Sequence, residues 1–220
     1  MHESFSITQE IARNKMIALD EDTHTYRWDG IKVPGVTEVL TRTGIATLPD
    51  LEPLRRGRYR GSIVHKAIEL TEKGTLAEDN LTNNTELAEL NILGYLNAYR
   101  RFRDEWIAKI VNFEMVVGHE IFRYAGKLDQ LSITIDGRLC VWDWKSGKLP
   151  WWVELQTGAY LEAILSMKEL NLESDELWHG AVAFRPDGTY DTPRLSQGRS
   201  GFSIFRQALN IVNFTDRKAA

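Results

Sequence analysis

The sequence predicts a single α/β domain in which helices flank a central mixed β-sheet. Three strand-like segments follow one another in the middle of the chain, at residues 113–122, 127–135 and 139–145. Segments with apolar residues three and four positions apart lie on both sides of them, and the clearest is residues 85–110. Strands enclosed in this way bury their apolar faces when the helices pack on the sheet.

Length and composition fit one core. The chain has 220 residues, of which 43% are hydrophobic, so we treat residues 1–220 as one domain with residues 1–50 as an N-terminal hairpin and helix extension. The first twenty residues carry charges that a secretory leader lacks, and no apolar run approaches the roughly 18 residues of a membrane span. We therefore expect a soluble, cytoplasmic protein with no membrane partner.

Charge and cysteine content exclude several classes of protein. The net charge of -4 argues against a protein that coats nucleic acid by charge alone. Cys140 is the single cysteine of the sequence, which excludes an internal disulfide framework and any site built from several thiolates. Its apolar surroundings indicate core packing.

The N-terminal half begins with a predicted hairpin. Residues 23–33 alternate around Asp29-Gly30, which is a strong two-residue turn signal. Residues 36–43 predict a short helix that ends at Gly44. Residues 54–72 predict a longer helix, residues 75–84 are polar and turn-like, and the amphipathic helix at 85–110 follows.

The C-terminal half supplies the predicted sheet. Cys140 and Val141 point to opposite faces of the third strand and both are apolar, so this strand is expected to be central and covered on both sides. A helix at 152–170 follows, then a hairpin of strands 177–184 and 189–194, and a last helix marked by Phe202, Phe205, Leu209 and Val212.

Four polar residues of this framework suggest a metal site. Asp143 and Lys145 lie two positions apart on a strand, so their side chains share one face. Asp129 lies on the neighbouring strand and His65 on the helix at 54–72. Carboxylates are the ligands that Mg²⁺ prefers, and an imidazole shifts the preference towards Mn²⁺. A cation beside a lysine suits phosphodiester hydrolysis.

These residues lie in motifs that resemble those of RecB-type PD-(D/E)XK nucleases. The resemblance runs from about residue 55 to residue 194, and its motifs occur in the family's order: Gly61-Ser62-Ile63-Val64-His65, Gly126-Lys127-Leu128-Asp129, Asp143-Trp144-Lys145-Ser146-Gly147-Lys148 and Gln156-Thr157-Gly158-Ala159-Tyr160. The segments 22–26 and 33–37 also resemble the start of phage-borne and mitochondrial exonuclease relatives.

The resemblance implies a restriction-endonuclease-like core and roles for individual residues. His65, Asp129, Asp143 and the main-chain carbonyl of Trp144 would bind one or two Mg²⁺ or Mn²⁺ ions. Lys145 would be catalytic together with Asp129 and Asp143, and Gln156 and Tyr160 would support the site and the DNA. Some relatives carry an iron-sulphur cluster on four cysteines, and with Cys140 alone this chain is expected to have none.

The activity so implied is that of a DNA exonuclease in recombination, repair or phage DNA metabolism. Its partner would be single- or double-stranded DNA with a free end, with a homo-oligomer or a recombination protein as further partners. Two alternatives remain open: an endonuclease on the same fold, and a non-catalytic DNA-binding module. Intact Asp129, Asp143 and Lys145 argue against the module, because crowded charges are costly to keep.

Two acidic residues near the motifs have more than one interpretation each. Glu120, predicted on the first strand, is either a ligand for a second cation, or a residue that orients His65, or an exposed carboxylate. Glu69 lies one turn after His65, and we favour a surface pair with Lys66 or Lys73 over a role in the site.

Basic and aromatic residues are the candidates for DNA binding. A run of four arginines precedes His65, and phosphate contact is favoured over a solvated charge run because arginine matches phosphate geometry. Trp142 and Trp144 face away from Asp143 and are expected in the core, whereas Trp151 or Trp152 could stack on a base or pack at the start of a helix. His24, His119 and His179 receive no role. The full set of predicted DNA contacts is Arg55, Arg56, Arg58, Arg60, Lys148 and Trp151.

Overall fold

The N-terminal region forms a small antiparallel sheet. The structure, a computed structural model, describes residues 17–47, 52–167 and 177–219. The predicted hairpin is present as β2 (Thr25–Trp28) and β3 (Ile31–Val33), and β1 (Ile17–Asp20) pairs with β2 on its other side. Asp29 and Gly30 have φ angles of 49° and 78°, as a tight two-residue hairpin turn requires. The predicted short helix is α1 (Val36–Arg42), and residues 1–16 and 48–50 of the predicted extension lie outside the described residues.

Helices fill the next part of the chain. The predicted helix at 54–72 is confirmed as α2 (Glu52–Glu72), and the turn-like segment contains a short α3 (Asp79–Asn83). The prediction of one helix at 85–110 is wrong in extent, since the segment divides into α4 (Thr85–Glu89) and α5 (Ile92–Trp106). Asn91 separates the two helices with a left-handed φ of 51°, and the chain passes directly into a strand at Ile107.

The main sheet has five strands in the order in which they occur along the chain. They are β4 (Ile107–His119), β5 (Tyr124–Thr134), β6 (Leu139–Lys145), β7 (Leu177–Ala183) and β8 (Arg194–Gln197). Only the β6–β7 pair is parallel, so the sheet is mixed as predicted. Helix α6 (Val153–Ser166) lies between β6 and β7 along the chain, and residues 168–170 of the predicted helix lie outside the described residues.

The second predicted hairpin is wrong in its second strand. Residues 189–194 were expected to pair, but β8 begins only at Arg194, and Tyr190 makes an isolated bridge to Phe184. Pro193 has no N–H group to donate to a neighbouring strand, so pairing resumes after it. The last helix is α7 (Phe202–Ala219).

Helices cover both faces of the main sheet. Cys140, Trp142 and Trp144 on β6 pack in a buried cluster with apolar residues of α2 and α5. Val141 points the other way into a second cluster with apolar residues of α1, α6 and α7. The central position of β6, its cover on both sides and the core packing of Cys140 are therefore confirmed.

The N-terminal sheet packs against the main sheet next to the hairpin of β4 and β5. A Cβ added to Gly118 of β4 would lie 2.5 Å from Ile17 Cδ1 and 2.7 Å from Trp28 Cζ3, so these side chains fit only against a glycine. The Ala125 amide donates a 3.1 Å hydrogen bond to the Pro34 carbonyl. This contact brings α1 alongside β5 on the side that leads to Asp129.

Among the helices of the described residues, none has the length and apolar character needed to cross a membrane.

Candidate active site

The predicted catalytic residues meet in one cleft of about 1490 Å³. The N-terminal sheet, α1, α2, α6 and strands β4 to β6 all contribute to its wall. Of the sequence candidates, the cleft contains His65, Asp129, Asp143, Trp144, Lys145, Gln156, Tyr160, Arg58, Arg60 and Lys148, while Glu120, Arg55, Arg56 and Trp151 are not among its lining residues.

The pairing of β5 with β6 positions the two aspartates. Gln130 pairs with Trp142 in this antiparallel pair of strands, so Asp129 and Asp143 lie opposite each other at the next position of the same register. The Trp144 amide donates a 2.5 Å hydrogen bond to Asp129 Oδ2, and its carbonyl oxygen lies 3.2 Å from His65 Nε2. The peptide groups of Trp144 therefore contact residues of the cleft, while its indole is buried in the core.

His65 joins α2 to this pair of strands. Its Nδ1 lies 3.1 Å from Asp129 Oδ1 and 3.9 Å from Glu114 Oε1, so both ring nitrogens face oxygen acceptors. Burial disfavours the charged imidazole, but the carboxylates of Asp129 and Glu114 outweigh it and raise the pKa of His65 to about 9. A ring with this raised pKa pairs with Asp129, and a metal ion bound at Nδ1 would have to displace a proton.

Glu114, rather than Glu120, is the acidic residue of β4 at this site. The sequence prediction placed Glu120 on a strand that reached residue 122, but β4 ends at His119 and Glu120 is exposed in the turn. The His119–Tyr124 pair fixes the hairpin register, and counting outward from it places Glu114 opposite Asp129. Of the interpretations left open for Glu120, the structure agrees with the exposed carboxylate, which lies in the turn instead of on the strand. Sequence reasoning missed Glu114 because the turn was expected about three residues further along the chain.

The conformation of Glu114 suits a metal ligand. Its backbone has a left-handed φ of 52°, which is uncommon for a residue with a side chain. Its Oε2 lies 2.8 Å from Lys127 Nζ, whereas its Oε1 is buried and has no hydrogen-bond partner among the described residues. Burial and the charge of Asp129 raise the pKa of Glu114. An orphaned carboxylate oxygen beside an imidazole and a second carboxylate is the environment that a divalent cation would satisfy.

The donor set of the cluster fits Mg²⁺ or Mn²⁺. His65, Glu114 and Asp129 each offer one ligand atom, and these atoms lie within 4.8 Å of one another. Two hard oxygens and one imidazole nitrogen are ligands that both ions accept. Cys140 is buried in the core and is remote from this chemistry, so thiolate plays no part in the set.

Lys145 and Asp143 form the other side of the site. Lys145 Nζ lies 2.6 Å from Asp143 Oδ2 and donates a 3.2 Å hydrogen bond to Gln156 Oε1. Burial and the nearby charge of Asp129 raise the pKa of Asp143 to about 6, against the opposing effects of Lys145 and His65. Burial also acts to raise the pKa of Asp129, but the positive charges of His65 and Lys145 outweigh it and lower that pKa below the usual value. The two carboxyl groups therefore differ in basicity.

Helix α6 and helix α1 hold Lys145 in place. Gln156 Nε2 donates a 2.9 Å hydrogen bond to the Tyr160 hydroxyl and a 3.4 Å one to Thr37 Oγ1. The Tyr160 ring packs against Gly126, where an added Cβ would lie 2.4 Å from its Cε1 atom. The glycine of the Gly126–Asp129 motif therefore makes room for the ring that fixes Gln156.

A basic rim borders the cleft. Arg60 donates a 2.6 Å hydrogen bond to the Ser146 carbonyl and lies over the Tyr95 ring, while its Nε is buried with no hydrogen-bond partner among the described residues. Arg58 and Lys148 are exposed and line the same cleft. Arg55 and Arg56 are exposed on α2 outside the cleft lining, so the four arginines divide into two pairs.

The two adjacent tryptophans differ in exposure, and the acidic residue one turn after His65 is paired. Trp151 is 72% exposed, whereas Trp152 is buried in the core with its ring 6.0 Å from Lys145 Nζ. Trp152 therefore packs at the start of α6, and Trp151 is the exposed indole of the pair. Glu69 pairs with both Lys66 and Lys73, as the favoured interpretation expects, but all three residues line the cleft and the Glu69 side chain is 17% exposed.

The fold and the site together define a mixed α/β protein whose central strand carries an acid–lysine pair beside a possible metal site. The architecture is compatible with a restriction-endonuclease-like core. No protein-family model matches the sequence, and no curated protein matches it. Among solved structures the chain is similar to LHK-Exo in a crystal structure with dAMP, at 12% identity and a TM-score of 0.31. The alignment covers 86% of this chain and 95% of that one.

Proposed function

We propose that this protein is a divalent-metal-dependent DNA nuclease that hydrolyses phosphodiester bonds, acting as an exonuclease. One observation carries the proposal. The Lys145 ammonium group lies 2.6 Å from Asp143 Oδ2, in the same cleft as the His65, Glu114 and Asp129 cluster. A carboxylate cluster alone would suit many metal-binding proteins. An ammonium group fixed at its edge, with guanidinium groups on the rim, suits a reaction in which negative charge grows on phosphate oxygens.

The proposed cation is Mg²⁺ or Mn²⁺. His65, Glu114 and Asp129 would hold it, with Asp143 and the Trp144 carbonyl alongside. When bound, such an ion neutralises charge on a phosphoryl oxygen and lowers the pKa of water. Because the carboxylates of Asp129 and Glu114 raise the pKa of His65 to about 9, the imidazole would lose a proton on binding the ion, and occupancy should increase as the pH rises.

Lys145 is the proposed catalytic cation. An ammonium group has three N–H donors, of which Gln156 accepts one, and Asp143 is held beside the group as an ion pair. A remaining donor would serve the attacking water or a phosphate oxygen. Gln156 and Tyr160 act as positioning residues, since they touch Lys145 and each other and limit the orientations of the ammonium group.

Asp143 is suited to accept a proton from the attacking water. Its pKa of about 6 leaves it mainly ionised at neutral pH but more basic than an ordinary aspartate. Asp129 has a lowered pKa and is held by the Trp144 amide, so it is better suited to remain an anionic ligand. The difference in basicity between the two aspartates supports different roles for them.

The basic rim would contact the DNA backbone. Arg58, Arg60 and Lys148 line the cleft beside the acid–lysine pair, and guanidinium groups match phosphate oxygens. The Trp151 indole, which is exposed although outside the cleft lining, would stack on a base. The preference for DNA ends, and a place in recombination, repair or phage DNA metabolism, come from the motif resemblance of the sequence.

The decisive test is hydrolysis of end-labelled linear DNA with Mg²⁺ and with Mn²⁺. Asp143→Asn and Lys145→Met should each reduce cleavage at least about a thousandfold, because each removes a charge adjacent to the reacting atoms. Asp104→Asn on α5 and Lys109→Met on β4 are matched controls, since both are exposed and outside the cleft lining. Full activity in either cleft variant would refute the proposal.

A second substrate distinguishes the two modes of cleavage. An exonuclease leaves closed circular DNA intact and degrades the same DNA after linearisation. Cleavage of the circle at a rate similar to that of the linear form would replace the exonuclease proposal with an endonuclease on the same site. Binding of DNA without cleavage under either metal would instead support a non-catalytic module.

A further inference from the structure

We infer that Lys127 takes the place of a second divalent cation, so that the cleft holds one metal ion. This inference rests on the metal site of the proposed function and specifies how many ions that site accepts. Lys127 lies in the Gly126–Asp129 motif, two positions before Asp129, and its side chain lines the same cleft.

The contacts of Lys127 are those of a cation between carboxylates. Its Nζ lies 2.8 Å from Glu114 Oε2 and 3.4 Å from Glu21 Oε1. Glu114 thus has an ammonium group on one oxygen, and its other oxygen faces His65 and Asp129. A second divalent ion that shared Glu114 would have to occupy the space in which Nζ lies.

The opposite end of the cluster is closed in the same way. Lys145 Nζ lies 2.6 Å from Asp143 Oδ2, so an ammonium group occupies each end of the row of carboxylates. Between them, His65 Nδ1 lies 3.1 Å from Asp129 Oδ1 and 3.9 Å from Glu114 Oε1, and one ligand atom from each of these three residues lies within 4.8 Å of the others. This central position is therefore the one that remains for a divalent cation.

The charges of the cluster agree with a single ion. Its acidic members are Glu21, Glu114, Asp129 and Asp143, and its ammonium groups are Lys127 and Lys145. With His65 neutral they leave a net charge of -2, which one divalent cation balances. A second divalent cation would leave the cluster positive before any substrate is bound, and that is unfavourable where water is partly excluded.

The environment of Glu21 indicates what removal of Lys127 should do. Glu21 has a side chain that is 68% exposed, whereas that of Glu114 is 19% exposed. Without the ammonium group, these two carboxylates would face each other across a vacated position that water and a cation can reach. Two carboxylates that lie on opposite sides of one small position repel each other, and a cation bound between them relieves the repulsion.

The test counts Mn²⁺ ions bound by the full chain in the absence of DNA. Calorimetric titration gives the stoichiometry, and the electron paramagnetic resonance signal of free Mn²⁺ checks it. The unaltered protein and Lys127→Arg should bind one ion, and Lys127→Met should bind two. Adding Glu21→Gln to Lys127→Met should return the number to one. Thermal unfolding of each variant verifies that the fold is retained.

Each other outcome overturns the inference, and the outcomes separate it from the proposed function. Two ions in the unaltered protein, or one ion or none in folded Lys127→Met, would show that Lys127 does not replace a cation, whether or not DNA is cleaved. No binding by the unaltered protein would overturn the metal-dependent function as well. If one ion binds but linear DNA stays intact, the nuclease proposal fails while the inference about Lys127 stands.

Discussion

Of the glycines that line the cleft, Gly126 leaves the least room for a side chain, and this makes Gly126→Ala an informative change. An added Cβ would lie 2.4 Å from Tyr160 Cε1 and 3.1 Å from Val36 Cγ2, whereas carbon atoms in contact normally lie about 3.5–4.0 Å apart. Tyr160 is buried and its hydroxyl is bonded to Gln156, so the ring can move only by breaking that bond. We expect a loss of about 2 kcal/mol in the free energy of unfolding, within the usual range for overpacking.

Stability and activity should both change. For a chain of this length, about 2 kcal/mol corresponds to a fall in Tm of about 4–8 °C. Displacement of Tyr160 also releases Gln156 and hence Lys145, so kcat should fall at least about tenfold, as expected when a group that orients the reacting atoms is misplaced. The assays are thermal unfolding and cleavage of linear DNA, measured on the same preparation. Gly57→Ala is the control, because nothing lies within 4 Å of its added Cβ and alanine favours a helix.

A double-mutant cycle identifies the partner in the clash. In a Tyr160→Leu background the ring is gone, and the further cost of Gly126→Ala should shrink to less than about 0.5 kcal/mol. An equal cost in both backgrounds would refute the contact with Tyr160 as the reason why this position is a glycine.

The remaining predictions concern metal binding and pH. Glu114→Gln should weaken Mn²⁺ binding by about ten- to a hundredfold, because a ligand charge is lost, whereas Glu120→Gln should leave the affinity unchanged. Calorimetric titration measures both affinities. A loss of affinity in Glu120→Gln and none in Glu114→Gln would restore Glu120 as the ligand. Burial lowers the pKa of His179 to about 4 in the folded protein, whereas a histidine in the unfolded chain has a pKa of about 6.5. Between these two pH values the unfolded chain binds the proton more tightly, so the stability of the fold is lost as the pH falls from about 6.5 towards 4. Urea unfolding should show His179 contributing about 2 kcal/mol less stability at pH 5 than at pH 7. His179→Asn keeps an atom for the 2.7 Å contact with Thr157 Oγ1 and should reduce that pH dependence, whereas an unchanged dependence would assign it to other groups.

The sequence predicted the elements whose side chains are periodic. Strand β6 has apolar residues on both faces and lies at the centre of the sheet, and α2 has the extent that its pattern indicated. The same alternation predicted that Asp143 and Lys145 would share a face, and Lys145 contacts both Asp143 and α6. Predictions of this kind succeed because burial on each face selects the residue types.

Two of the failures lie where the chain changes direction without a glycine or a proline. The turn between β4 and β5 includes Arg123 with a left-handed φ of 52°, a conformation that the residue type does not indicate. An error of three residues in that turn moved the register and selected Glu120 instead of Glu114. In the same way α5 passes into β4 at Ile107, where a β-branched residue continued the helical spacing without a stop signal.

Trp144 has a consequence for how this site would respond to a systematic survey of substitutions. Its amide binds Asp129 and its carbonyl faces His65, yet its indole is 2% exposed in the core on the other face of the sheet. A survey that replaces side chains would rank position 144 by volume and shape, since every replacement except proline, which would also disrupt a central strand, retains both peptide groups. The contribution of this residue to the chemistry would be invisible in such data, and only a change to the backbone itself, such as an ester in place of the amide, would reveal it.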